Sequence, residues 1–167
     1  MQGLTTLTHL DLSCCYELTG DLGPLQGLSQ LTHLDLGGCH ALTGDLGPLQ
    51  GLTTLTHLDL RYCKFTGDLG PLQGLTQLTH LDLNNCERLI GDVWPLEGLT
   101  QLTHLGLYDC NKLTGDKDGL MEAAKRRAPG PQLLLRAHRR PRAALRGTRR
   151  RTQGEPRLPS SALRGSP

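Results

Sequence analysis

The chain has 167 residues, with 18 Lys and Arg against 16 Asp and Glu for a formal charge of +2, and only 3% of it is aromatic. That length suits one compact domain or a short repeat array and argues against a multidomain enzyme. A core this poor in aromatics must be built from leucine instead. No run approaches the ~18–20 consecutive apolar residues of a transmembrane helix. The opening residues, Met1 to Thr6, have neither the basic start nor the apolar run of a secretory signal. The small total charge hides two kinds of chain. Residues 1–116 carry 4 basic and 13 acidic side chains, a balance of −9, and residues 117–167 carry 14 basic and 3 acidic ones, a balance of +11. Composition shifts at the same point, from Leu, Thr, Gly and Asp to Arg, Ala, Pro, Gly and Ser, which places the boundary near Asp116.

Along the first part the block Leu-Thr-His-Leu begins at Leu7, Leu31, Leu55, Leu78 and Leu102, at spacings of 24, 24, 23 and 24 residues. The short interval comes from Cys63-Lys64-Phe65-Thr66, which stands where the preceding unit has Cys39-His40-Ala41-Leu42-Thr43. The pattern L-x-x-L-x-L-x-x-(N/C)-x-x-L at this period resembles the leucine-rich repeat family over residues 1–116. Within that family, Leu-Thr-Gly-Asp-Leu is similar to a stretch of plant-type repeats. Cysteine at the asparagine position is similar to the cysteine-containing repeats of F-box proteins. The resemblance implies an α/β, right-handed solenoid with parallel strands on its concave face and short 3-10 or helical return paths, followed by a disordered basic tail.

Physical reasoning on each unit agrees. Leucine and polar residues alternate in a half-buried strand, so Leu10 and Leu12 point inward while His9 and Asp11 face the other way. Gly20, Gly44, Gly67, Gly91 and Gly115 recur where a turn needs positive φ. Pro24, Pro48, Pro71 and Pro95 suit the first turn of a short helix. One unit cannot bury its own leucines, so stability resides between neighbours. Met1 falls inside a repeat. Either the sequence is a fragment of a longer protein, or the open unit stacks end to end on another copy. Residues 117–128 read as a capping helix, with an acidic start at Asp118, a basic finish and Leu120 in phase with Leu96.

Stacking places equivalent residues in rows. His9, His33, His57, His80 and His104 form one; Asp11, Asp35, Asp59 and Asp82 form the next, ended by Gly106. Both rows are expected on the solvated concave surface, compensating one another's charge, with no specific metal site and no cofactor. Neighbouring carboxylates should raise the histidine pKa values. The positions that vary lie on the concave rim, where Arg61, Tyr62, Asn84, Asn85, Tyr108 and Asp109 are the candidate partner contacts, with Tyr and Arg the favoured anchors. Cys15, Cys39, Cys63, Cys86 and Cys110 form a ladder of inward thiols, which fits a reducing compartment.

Residues 129–167 read as a disordered Arg- and Pro-rich tail. It allows non-specific nucleic-acid binding, nuclear import, or masking of the acidic array; out-of-frame or GC-rich translation explains its composition equally. No catalytic motif is present, so the chain is expected to be non-enzymatic and cytoplasmic, with nuclear entry through the tail as the variant of that reading, and with no membrane role. The resemblance implies a scaffold that binds a protein or peptide on its concave face, as in the sensing part of a receptor, kinase or adaptor. The alternative is a nucleic-acid-associated protein acting through its tail.

Overall fold

The computed structural model describes residues 5–128, and the basic tail lies outside them. In chain order the elements are β1 (His9–Asp11), a 3-10 turn (Gly23–Leu25), β2 (His33–Asp35), a 3-10 turn (Gly47–Leu49), β3 (His57–Asp59), a 3-10 turn (Gly70–Leu72), β4 (His80–Asp82), β5 (Gly91–Asp92), a 3-10 turn (Trp94–Leu96), β6 (His104–Gly106), β7 (Leu113–Thr114) and the helix α1 (Lys117–Arg127). Strands β1, β2, β3, β4 and β6 make one parallel sheet in that order. A second ladder of β5 and β7, with isolated parallel bridges at Gly20–Leu42 and Asp45–Thr66, runs along the opposite side. This is the α/β leucine-rich solenoid anticipated from the period.

Three recurring hydrogen bonds explain why each unit adopts the same path. The threonine before each histidine donates its hydroxyl to the carbonyl of its counterpart one unit earlier: Thr32 to Thr8, Thr56 to Thr32, Thr79 to Thr56 and Thr103 to Thr79, each at 3.0 Å. Asp11, Asp35, Asp59 and Asp82 each accept the backbone N–H two residues ahead, at 2.8–3.0 Å, and so close the turn that ends the strand. Asp21, Asp45, Asp68 and Asp92 do the same at the start of the 3-10 turns, at 2.8–2.9 Å. Short acidic side chains favour such local bonds over a continued strand. Proline occupies the first turn of every 3-10 segment, where its missing N–H costs nothing. The glycines at 20, 44, 67, 91 and 115 have φ between 86° and 108°, which only glycine adopts freely.

The core is a column of leucines shared between units. Leu34, Leu58 and Leu81 on the strands and Leu52, Leu75 and Leu99 on the return paths are all at or below 8% exposed except in the first unit, where Leu10 and Leu12 are half-buried. In the unit that is one residue short, Phe65 takes the place of Leu42 and is fully buried. At the far end α1 packs against β6, with Ala124 buried and Leu120 and Met121 resting on the core. Its N-cap is Asp116, two residues before the acidic start expected from the sequence, and the carboxylate accepts the Gly119 N–H at 2.9 Å. Lys117 Nζ donates to the Cys110 carbonyl at 3.1 Å and ties the helix to the last unit.

A shared core predicts position-dependent losses. Leu81→Ala, in the middle of the column, should lower stability by about 2–5 kcal/mol, and Leu10→Ala by less than half as much. Urea unfolding of both variants checks this, and equal losses would contradict a core made between units.

Candidate functional site

One face of the sheet formed by β1, β2, β3, β4 and β6 carries the two rows. The register pairs His9 with His33, His33 with His57, His57 with His80 and His80 with His104. Their rings stack, with centroids 5.6 Å apart at the first step and 4.1 Å at the next three. Packing at this spacing strips water from the inner rings, and each protonated ring would face another. Burial therefore lowers the pKa of His57, and it takes that of His80 down to about 4, with His104 and His57 adding to the effect. The expectation of raised histidine values is overturned: desolvation and like-charge neighbours outweigh the carboxylates.

The aspartate row is not uniformly solvated either. Asp11 is exposed, whereas Asp59 and Asp82 are 3% and 6% exposed. Burial, with Asp35 and Asp82 nearby, raises the pKa of Asp59 despite its bonds to Arg61. Hydrogen bonds from Ser13 lower that of exposed Asp11. Arg61 Nε lies 3.0 Å from Asp59 Oδ2. It reaches there over Gly37, where an added Cβ would sit 3.1 Å from Arg61 Nε, Asp35 Oδ1 and Asp59 Oδ1 alike. Arg61 thus neutralises the centre of the row. At the far end Gly106 replaces the next aspartate. Asn84 reaches over it from the preceding unit and accepts the Tyr108 N–H at 2.7 Å, the bond an aspartate at 106 would otherwise have made. A Cβ on Gly106 would meet Asn84 Nδ2 at 2.7 Å and Asp82 Oδ1 at 2.5 Å.

On the rim the structure brings some candidates together and separates others. Arg61 and Tyr62 line a groove of about 400 Å³ with Ser13, Cys14, Gly37, Gly38, Tyr16 and His40. The Tyr16 and His40 rings stack at 5.7 Å, and His40 meets Tyr62 edge-on at 6.4 Å. Tyr16 and His40 were not among the sequence candidates, although their phase, one residue past the cysteine, varies between units as Tyr16, His40, Lys64, Glu87 and Asn111. His40 Nδ1 is 2.8 Å from the Tyr62 carbonyl, which pins the aromatic trio. Asn85 lines an adjoining groove of about 370 Å³ with His40, Tyr62, Cys63, Lys64, Glu87 and Arg88. Tyr108 stands apart at 70% exposed, and Asn84 serves the backbone as described.

A further regularity escaped the sequence. Cys14, Tyr62, Asn85 and Asp109 have φ of 58°, 60°, 60° and 55°, and Gly38 at the same phase has 82°. Every unit turns through the left-handed region there. Gly, Asn and Asp tolerate this, but for a bulky ring it is an outlier. Tyr62 holds a strained backbone and is still 51% exposed.

The thiols behave as small core residues from the second unit onward. Cys39, Cys63, Cys86 and Cys110 are buried, and each donates to a carbonyl of the preceding unit: to Leu12, Leu36 and Leu60 at 3.1 Å and to Leu83 at 2.9 Å. Burial pushes the Cys63 thiol up to about 12 and raises those of Cys39, Cys86 and Cys110 as well. Cys15 departs from the inward expectation: in the first described unit it is exposed, like Cys14.

Comparison with known proteins agrees with this geometry. Residues 53–93 match a family model described as leucine-rich repeats in two copies, and residues 3–20 match a single leucine-rich repeat. Internalin C2 from Listeria monocytogenes is 32% identical with a TM-score of 0.52, over 67% of this chain and 44% of that one. The chain is a leucine-rich repeat protein. The ectodomain of the Arabidopsis thaliana receptor kinase GASSHO1/SCHENGEN3, solved in complex with Casparian strip integrity factor 2, is 26% identical with a TM-score of 0.56, over 64% of this chain and 13% of that one. This leucine-rich repeat chain therefore spans less than half the length of either relative. No curated protein sequence matches it. Among the described residues no helix is long and apolar enough to cross a membrane.

Two measurements follow from the titrations and the burial. Because the folded values of His57 and His80 lie below the ordinary 6.5, the unfolded chain takes up protons first as pH falls. Stability should then drop between pH ~6.5 and ~4, by about 1–2 kcal/mol for His80 once solvent screening is allowed for. Asp59 acts in the opposite sense, between its raised value and 3.8. Melting curves from pH 7 to 4.5 should decline, and His80→Gln should flatten the decline. Separately, a water-soluble maleimide should label Cys14 and Cys15 in the native protein and all six cysteines in denaturant; fast native labelling of Cys63 or Cys86 would refute the buried ladder.

Proposed function

We propose that the array is a non-enzymatic scaffold that recognises a protein or peptide on its concave rim, at the groove walled by Tyr16, His40, Arg61 and Tyr62. The observation that carries this reading is Tyr62. Its ring is half exposed on a left-handed backbone that glycine or asparagine would hold with less strain. Strain of this kind concentrates at binding sites, where it pre-organises a contact. Two further features support it. The aromatic trio offers broad, rigid faces with few rotors to freeze, which suits interface anchors. Arg61 is held by Asp59, so its stem and guanidinium face are set before a partner arrives. The receptor-kinase relative, an ectodomain bound to Casparian strip integrity factor 2, is a precedent for ligand binding on this fold. A ladder of buried free thiols favours a reducing compartment such as the cytoplasm as the place of work.

Selection of random peptides displayed against the full chain tests the assignment. Enriched sequences should bind wild type and lose at least tenfold in affinity against Tyr62→Ala and Tyr16→Ala, while Trp94→Ala, on an exposed residue of a return path, leaves affinity unchanged. Peptides that bind all three variants equally would place recognition elsewhere.

A further inference from the structure

We propose that His80, Asp82 and His104 form a binding site for one divalent first-row cation of borderline softness, with Zn²⁺ as its representative. Among the described residues this is the one group of three metal-ligating side chains whose donor atoms lie within 4.8 Å of one another.

The uniform spacing of the rows suggests that any two histidines and an intervening aspartate should serve equally. They do not, for reasons of charge and position. Asp59 is already paired with Arg61 at 3.0 Å, and Asp35 is only half-buried. At the first step Asp11 is exposed and the His9 and His33 rings are 5.6 Å apart. Asp82 differs from all of these. It is 6% exposed, unlike exposed Asp11 and half-buried Asp35; unlike Asp59 it has neutral Asn84 rather than an arginine two places ahead; and the row stops at Gly106. Among the described residues, its single basic neighbour within 4 Å is His104, at 3.8 Å from Oδ2. A buried carboxylate without a firm cationic partner is costly, and a bound cation removes that cost.

The donor set and its support also suit a metal. Two imidazoles and one carboxylate match the ligand preference of Zn²⁺ and its neighbours. The Asn84 N–H holds Asp82 Oδ1 at 2.9 Å, so Oδ2 is left facing His104. A ligating carboxylate fixed through its other oxygen is the usual second layer of such a site. Donors around a tetrahedral ion lie roughly 3.4 Å apart at ~2.1 Å bonds. Closing from 4.8 Å turns the His104 ring out of its parallel stack on His80, 4.1 Å away, and His104, 50% exposed on its side chain, has room to turn. Three protein ligands leave one position on the concave surface for water or a donor from a partner.

Calorimetric titration of the untagged full chain with ZnCl₂, repeated with Co²⁺ to record its visible spectrum, tests the site. The expected result is one equivalent of metal per chain, an intense tetrahedral cobalt band, and at least tenfold weaker binding in Asp82→Asn and in His104→Ala. Asp82→Asn keeps an acceptor for the Asn84 N–H, so its fold is preserved, and circular dichroism verifies this. His9→Ala and His33→Ala should bind as wild type does. Absence of zinc binding by wild type, or equal weakening by His33→Ala and His104→Ala, would overturn the assignment in favour of diffuse binding along the row.

Discussion

Hydrogen bonds that run from each unit to the one before it lock the register of the parallel sheet, and the register multiplies whatever a unit contains. The threonine hydroxyls and the cysteine thiols both donate backward into carbonyls of the previous unit, so a displaced strand would lose both bonds at once. Leucine columns then fill the interior without the jigsaw of mixed shapes a globular core requires. Because no unit encloses its own leucines, energy is stored at the boundaries between units. The half-buried leucines of the first described unit show the same rule at the end of the stack.

Repetition has an electrostatic consequence that individual residues do not reveal. A histidine beside an aspartate on one strand is an attractive pair, but five strands at about 4.8 Å spacing turn the pair into two rows of like groups. Within a row the neighbours repel and exclude water from one another. The inner imidazoles are consequently held neutral, and the inner carboxylate at Asp59 is harder to ionise. The array manages this by breaking its own symmetry. Arg61 is inserted at the centre, and Gly106 with Asn84 ends the acidic row. Those substitutions make Asp82 chemically distinct from its copies, and a residue that is one of a series acquires an individual role.

The rim follows a related logic. A left-handed turn is required at one phase of every unit, so the residue chosen there is a compromise between backbone comfort and what the surface must display. Gly38, Asn85 and Asp109 satisfy the backbone. Tyr62 satisfies the surface, and its ring joins Tyr16 and His40 in the aromatic wall of the groove.

Period and composition alone determined the solenoid, its unit boundaries, the leucine core and the rows of equivalent residues, since a 24-residue repetition admits one way of stacking and identical neighbours must align. They also pointed to Arg61 and Tyr62 as residues where the units differ. Tertiary packing alone decided which members of a row are buried, because burial depends on how many copies flank a residue, and position in the stack is invisible to a repeat motif. It decided the direction of the histidine shifts for the same reason. It showed Asn84 replacing a missing aspartate from the adjacent unit, a bond across 24 residues that no local pattern encodes. Last, it gathered Tyr16, His40 and Tyr62 into one wall, because side chains from three successive units meet only when the strands lie side by side.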